Sequence, residues 1–497
     1  MKRLILCFGV CILLLSNAAP IVRAQGVTTS ALSGVVSDGT DYLRQLDEAL
    51  AGKITMEQVK LRSLSGARVS VVHVPSGTQY NAVVRSDGNY NLRGLRVGGP
   101  YTITVTLLGY KKEELKDITL GLGENRRVDI SMTAQDVTLQ GVQVTANREK
   151  AASRIGAGSE ISTAQLERTP NLSRSFQEMT RTNPLVIGSN VGAGDNVGGI
   201  NIAGQNNRYN NIQVDGAVIN DLFGLSSTGA PGGQAAAQPI SLDAIEQMQV
   251  SVAPFDVRQS GFTGGLVNSV TRSGTNTLSG SAYAVLKNQA LAGLSPSDNA
   301  AQRTPLSTFS DFTVGARLGG ALVQDKLFFF ANLETRRVSQ PAELSINQPG
   351  AAVNFPVSRA TIDRIISIAK TKYNYDPGNY DTFTGQIGDI KGFLRLDWNI
   401  SDEHRLTVRH NIVSATQDRG VDRTPAALSL SGLKYVFSSL QNNTVAQLNS
   451  SFGSDAANEL RVSLMNVNDR RGNFAGGIFP YVSVIAGPNG EAVTMEI

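Results

Sequence analysis

Phe312-Thr313-Val314-Gly315-Ala316-Arg317-Leu318-Gly319-Gly320 alternates apolar with polar or small side chains, Gln324-Asp325-Lys326 turns the chain, and Leu327 to Arg336 follows. Phe312, Val314, Ala316 and Leu318 share one face; Thr313, Gly315 and Arg317 share the other. That is the period of a strand with unlike surroundings on its two sides. The grammar returns downstream. Leu394, Leu396 and Trp398 alternate with Phe393, Arg395 and Asp397; after Ser401-Asp402-Glu403, Leu406, Val408 and Ile412 alternate with Arg405, Thr407 and Arg409. A third hairpin runs from Asn443 to Phe452, across Ser454 to Asn458, into Leu460, Val462 and Leu464.

Short turns lie at one end of these hairpins, and the long polar stretches Ser339 to Gly388 and Gln417 to Ser431 lie at the other. Short periplasmic turns and long external loops are the asymmetry of outer-membrane barrels. A soluble sandwich with one apolar core face gives the same alternation. His410 falls among the outward positions and marks either a strand end or a slipped register; His404 and His410 read as ordinary polar residues.

The 497 residues are 41% hydrophobic, 17% charged and 6% aromatic, with 50 glycines and one tryptophan, Trp398. Charge so far below the roughly 25% of an ordinary soluble domain, with so much glycine, points to turn-rich β structure. Of the 45 basic residues, Lys2, Arg3 and Arg23 lie at the N-terminus where there is no acid, so the rest is close to neutral against 41 acids. Such a balance offers no footprint for nucleic acid.

Lys2 and Arg3, the apolar run Leu4 to Leu15 and Val22-Arg23-Ala24 read as a signal peptide over 1–24. Cys7 and Cys11 both fall inside it, so cleavage leaves a chain without disulfides, thiolate chemistry or Cys-bound zinc. The competing reading, lipidation at Cys11, is disfavoured by Val10 before it. No later run reaches 18 apolar residues, so the mature chain would cross a bilayer only with strands.

Residues 26–134 show short alternating strands at Leu32 to Val36, Ala67 to Val74, Gln79 to Arg85, Tyr90 to Leu95, Tyr101 to Leu107 and Arg127 to Met132, spaced as in a β-sandwich. Pro75-Ser76-Gly77 and Asp87-Gly88-Asn89 supply turns. Between Asp41 and Leu64 the period changes, and Leu43, Leu46 and Leu50 share a helical face before Gly52. Ser65-Gly66-Ala67-Arg68-Val69, Ser86-Asp87-Gly88-Asn89-Tyr90, Gly98-Gly99-Pro100-Tyr101 and Leu108-Gly109-Tyr110 together resemble the carboxypeptidase regulatory-like domain, which implies an immunoglobulin-like sandwich. No peptidase activity comes with it. The three histidines, His73, His404 and His410, stand in no H-E-x-x-H or H-x-x-E frame, so no zinc set is expected.

Leu139 to Arg148 is β-prone and leads into the Gly/Ser-rich Ala151 to Ser159. Alone it reads as a last strand plus linker. It is also similar to a TonB box, an extended peptide that a periplasmic partner adds to its own sheet. Over 149–276, helical pieces are expected at Gln165 to Glu167, Phe176 to Met179 and Leu242 to Met248. Strands are expected at Gly199 to Ala203, Asn210 to Val214, Met248 to Ala253 and Leu266 to Thr271. Ile200-Asn201-Ile202-Ala203-Gly204, Arg208 to Gly216, Ile245 to Val250 and Gly264 to Asn276 resemble, in order, the plug of TonB-dependent outer-membrane receptors. Phe255 to Gly265 is similar to the Oar-like branch. Gly192-Ala193-Gly194 and Gly229 to Gly233 lack the strand–helix frame and Lys-Ser/Thr pair of a phosphate cradle and read as plug loops.

The expected fold is mainly β: an Ig-like β-sandwich (26–134), a coupling segment (139–148), an α+β plug (149–276) and a partial transmembrane antiparallel β-barrel (277–497). A plugged barrel of about 22 strands needs more chain than residues 277 to 497 provide, so the sequence reads as the front part of such a receptor. The resemblance implies no enzyme, no catalytic residue, no metal and no cofactor. It implies instead an outer-membrane receptor that imports an external ligand, reached through a cleaved signal peptide. Expected partners are a TonB-type energy-transducing protein at Val142, Gln143, Val144, Thr145 and Ala146, outer-membrane lipid, and an unidentified ligand near Asn206, Asn207, Arg208, Tyr209, Asn220, Asp221 and Phe223. A surface or periplasmic carbohydrate-binding-like protein without transport is the alternative.

Overall fold

The computed structural model describes residues 27–55, 58–135, 157–171, 174–188, 199–226, 228–252, 259, 261–294, 298–303, 305–306, 308–341, 355–380, 384–421, 423–424, 426–453, 455–472 and 481–496. Residues 1–24, expected to be a signal peptide, and the segment Val142 to Ala146 lie outside the described residues.

The N-terminal strands are β1 (Ser30–Asp38), β2 (Arg68–His73), β3 (Thr78–Val83), β4 (Asn89–Leu95), β5 (Gly98–Thr106), β6 (Glu113–Leu120), β7 (Asn125–Arg127) and β8 (Ile130–Met132). They form two sheets, β3-β2-β5-β6 and β4-β1-β7, with β8 also on β1. Leu32, Val36, Val69, Val71, Tyr80, Tyr90, Leu92, Tyr101 and Ile103 fill the core between them. At Gly34 a Cβ would overlap the Val128 carbonyl oxygen, so the close crossing there requires glycine. The single last strand expected over Arg127 to Met132 is two, because the Asp129 carboxylate takes the Val35 N–H at 2.9 Å in place of a ladder carbonyl. Strand β6 was not expected: Glu113-Glu114-Leu115-Lys116-Asp117 shows no alternation, and Asp117 sits at φ 58°. The insert forms α1 (Gly39–Leu50), opened by Asp38, whose side chain accepts the Asp41 N–H at 3.0 Å.

The next region contains β9 (Ala157–Ile161), α2 (Thr163–Arg168), α3 (Phe176–Thr180), β10 (Val186–Gly188), β11 (Ile200–Ile202), β12 (Asn211–Val214), β13 (Ala217–Val218), β14 (Ile245–Val252) and β15 (Gly265–Thr271). One sheet runs β13-β12-β15-β14-β9, and β10 pairs with β11. Two expectations are corrected. Leu242 to Met248 is not a helix: only Leu242–Ala244 makes a 3₁₀ turn, and from Ile245 the backbone pairs with β15, then also with β9 from Met248. Ala157 to Ser159, read as linker, belongs to the edge strand β9.

Beyond Ser279 the chain makes β16 (Ser279–Asn288), α4 (Gln289–Ala292), β17 (Ser310–Val323), β18 (Leu327–Pro341), α5 (Arg359–Tyr373), β19 (Thr384–Asn399), β20 (His404–Arg419), β21 (Ala427–Ser429), β22 (Tyr435–Phe452), β23 (Ala456–Arg471), β24 (Tyr481–Ile485) and β25 (Ala492–Glu496). Seven of these form an antiparallel wall, β16-β17-β18-β19-β20-β22-β23. The other three pair as β21-β25-β24.

On the wall, Leu318, Leu333, Leu394 and Leu464 are exposed while Glu334, Lys391, Asp397 and Arg409 are buried. That is the reverse of a water-soluble sheet and is the arrangement of a strand with lipid outside and a polar interior. His410 is neither a strand end nor a slip. It faces outward within β20, opposite Leu394 and Thr444, with Nδ1 and Thr444 Oγ1 2.9 Å apart. The turn expected over Ser454 to Asn458 is shorter, since Ala456 already pairs with Phe452. The long polar connections also contain structure. Strand β18 runs to Pro341, and α5 packs with β21 and β25 through Phe355, Ile362, Leu428, Leu430, Val493 and Met495 into a cap built from three separate connections.

Candidate functional site

Two features of the plug face its surroundings: an apex on the long-loop side, and a polar seam against the wall. Strand β15 sets the axis. Its first residue, Gly265, donates its N–H to Asn210 Oδ1 at 3.1 Å beside the apex, and its last, Thr271, lies against Arg395.

At the apex, Asn206 caps a 3₁₀ turn over Asn207–Tyr209 by accepting the Arg208 N–H at 3.1 Å. Asn220 ties the second segment to the first, with Oδ1 accepting Ile212 N–H at 2.7 Å and Nδ2 donating to Asn210 O at 2.9 Å. The Asp221 carboxylate takes the N–H groups of Phe223 at 3.1 Å and Ser226 at 2.6 Å. Asn206, Asn220 and Asp221 therefore shape turns and Asn207 is buried, whereas Arg208, Tyr209 and Phe223 are exposed. Leu222 (80% exposed) and Leu225 (68%) stand beside Phe223 (85%). A Cβ on Gly224 would lie 3.8 Å from Arg208 Cδ, so the two segments form one platform with a cation, two aromatic rings and two leucines. Both leucines fall in the stretch Asn220 to Leu225 expected near ligand, and their exposure follows from the Asp221 turn.

The seam joins charged and polar groups of the plug to those of the wall, in both directions. Asp215, at φ 46°, accepts from Thr271 N and Oγ1, each at 2.8 Å. Its Oδ2 lies 2.6 Å from Arg409 Nε, an approach in which the N–H does not point at the oxygen. Arg409 also donates to Val214 O at 2.6 Å and to Asn443 Oδ1 at 3.0 Å. Arg395 donates to Thr271 O at 2.8 Å and forms a two-point pair with Asp397 at 2.8 and 2.9 Å. Further along, Arg174 binds Asp243 at 2.5 Å and lies 4.0 Å from the Tyr283 ring centroid, while Ser241 donates to Glu334 at 2.9 Å. Glu334 is neutralised by Lys391 at 2.9 Å, which also holds Asp389 at 2.8 Å. Toward the long loops, Arg419 Nε donates to Gln234 O at 3.1 Å. Sequence marks Arg395 and Arg409 as inward but does not say which plug residue each meets. The arrangement seats the plug against the wall through polar contacts.

Residues 49–133 match the carboxypeptidase regulatory-like domain model, 150–266 the TonB-dependent receptor plug domain model, and 270–354 an outer membrane beta barrel domain model. These three domains, in this order, are those of TonB-dependent outer-membrane receptors, which the chain resembles from its N-terminal sandwich into the wall. Among curated proteins it is similar to the TonB-dependent transporter Oar of Myxococcus xanthus, 26% identical over 267 residues, which are 51% of this chain and 23% of that protein. The chain thus matches about a quarter of that relative. Among solved structures it is similar to the outer membrane transporter YddB from Escherichia coli (14% identity, TM-score 0.47, 68% of this chain and 42% of that one). It is likewise similar to the siderophore receptor PirA from Acinetobacter baumannii (18%, 0.43, 70% and 43%).

Proposed function

We propose that the chain carries the ligand-receiving and energy-coupled part of an outer-membrane transporter. An external ligand settles on Arg208, Tyr209, Leu222, Phe223 and Leu225. A TonB-type protein takes Val142 to Ala146 as an added strand, and its pull loosens the plug from the wall. The observation that carries this reading is the polar seam. Asp215, Arg395 and Arg409 hold the plug with hydrogen bonds and ion pairs in place of an apolar weld, while the apex presents side chains that no turn uses.

A photo-crosslinker at Gln143 should trap a TonB-type protein in intact cells. Val144→Pro, which deletes one main-chain donor, should abolish that trapping. Trapping unchanged by the proline returns the segment to a linker. On an array of glycans, ferric siderophores and peptides, Arg208→Ser and Phe223→Ser should each lose whatever the parent chain retains. Retention without any trapping would favour a binding protein that does not transport.

A further inference from the structure

The sandwich touches every short turn of the wall. At the first turn, Asn276 donates its main-chain N–H to Pro75 O at 2.9 Å and its side-chain amide to Asp325 at 2.7 Å. A Cβ on Gly77 would overlap that Asp325 carboxylate. At the second, Asn399 donates to Thr78 Oγ1 at 3.0 Å, Arg405 donates to Gln79 O at 3.0 Å, and its guanidinium lies 3.9 Å from the Tyr80 ring centroid. At the third, Arg85 pairs with Asp455 at 3.1 Å and Ser451 reaches Arg93 O at 3.5 Å. Between the turns, Arg96 donates to Ser273 at 2.9 Å beneath the plug and lies 5.2 Å from the Phe328 ring centroid.

We propose that the sandwich is a lid over the periplasmic end of the receptor, docked when the receptor is idle and lifted when the coupling segment is pulled. Short turns mark the periplasmic end, so anything passing the plug on that side meets the lid. The contact is made to separate. Among the described residues its apolar component is small, with Val97 and Leu122 of the sandwich against Val270 of the plug, and the rest is polar: the Arg85–Asp455 ion pair, the Arg96 and Arg405 ring contacts, and hydrogen bonds, including buried ones from Asn268 to Val27 O and from Gln447 to Thr28 Oγ1 at 2.9 Å. Polar contacts of this kind resemble transient interfaces, which exchange with water at little net cost. The chain order supplies the lever. Residues 139–148 lie between the lid's last strand, β8, and the plug's first, β9, so tension there reaches both. Parallel pairing with β1 ties β8 into the sandwich, so the domain is drawn as a body.

The proposal rests on the transport reading for what lifts the lid, but docking itself is testable apart from transport. A Cβ on Gly77 would stand 2.8 Å from Asp325 Cγ, which is disulfide range for Gly77→Cys with Asp325→Cys. In the full chain with Cys7 and Cys11 changed to Ala, that pair should close under mild oxidation, whereas Leu108→Cys with Asp325→Cys should not. Arg85→Cys with Asp455→Cys, bridged by a short bis-maleimide, repeats the test without a residue at positive φ. Arg96→Ala, which removes one charged donor and leaves the wall intact, should slow both crosslinks about tenfold. In cells, a protonophore should speed them, because de-energised receptors keep the lid down. Failure of both pairs to crosslink overturns docking whatever the receptor transports. Crosslinking indifferent to the protonophore and to Val144→Pro overturns lifting by energy coupling, while trapping at Gln143 tests the transport reading separately.

Discussion

Asp215 is the residue on which the plug's seating turns. It is short, buried and held at positive φ, so its carboxylate reaches the Thr271 backbone and the Arg409 guanidinium at once. Removing one member of a buried ion pair leaves the other charge uncompensated, at a cost of about 3–5 kcal/mol. Asp215→Ala should therefore loosen the plug and expose it to trypsin in intact outer membranes; Asp215→Asn, which retains an acceptor for Thr271, should do so less. Equal resistance in both variants would mean that Arg409 is satisfied without Asp215. His73 makes a second prediction, in the lid. It is buried, with Nδ1 2.7 Å from Ser76 Oγ; burial, then the Arg96 charge, lower its pKa from 6.5 to about 3. The unfolded chain takes up the proton first, so the stability present above pH 6.5 drains as pH falls from 6.5 toward 3, by at most about 1.4 kcal/mol per pH unit. Pulse proteolysis in urea at pH 7 and pH 5 should show a smaller loss for His73→Asn than for the parent sandwich.

At the scale of elements, what the sequence shows depends on how each strand is surrounded. Strand β17 has unlike neighbours on its two faces, and its alternation reads directly. Strand β9 carries Gly158, Ser159 and Glu160 and is a strand because β14 offers an unpaired edge, which no local signal reports. The 3₁₀ turn before β14 mimics a helical start for the same reason: three residues fit a helix and the fourth is claimed by a ladder. At the apex, Asn206, Asn220 and Asp221 were legible as polar loop residues, but their service to turns, which frees Phe223, needed the fold. The external cap shows the same limit on a larger scale. Its core joins Phe355, Leu430 and Val493 from three connections that read separately as polar loops. Phe355→Ala should cost the cap about 3–5 kcal/mol. Hydrogen exchange should then quicken in α5 and β25 while β19 and β20 keep their protection. Unchanged exchange in α5 would mean that the cap does not depend on this core.

Across the whole molecule, one rule orders the wall, which is charge inward and hydrocarbon outward. Inward positions supply the cations and carboxylates that hold the plug, and the outward positions of the same strands present the hydrocarbon. The aromatic residues agree with that placement. Trp398 and Phe452, both about half exposed, stand beside the short turns, where an interfacial girdle belongs. Counting inward from Trp398, Leu394 lies deeper on the same outward face, opposite Ala331 and His410, whereas Ile400 lies past the end of β19. A charge on the lipid face costs about 2–4 kcal/mol for Arg at the midplane and about 0–1 near the interface. Leu394→Arg should therefore lower the urea stability of the chain in phospholipid vesicles by an amount in the first range, and Ile400→Arg by an amount in the second. A soluble sheet with a covered outer face would not rank them by depth, because its cost follows contact with protein. Equal losses at the two positions, or a larger loss at Ile400, would mean that the apolar face of the wall meets protein instead of lipid.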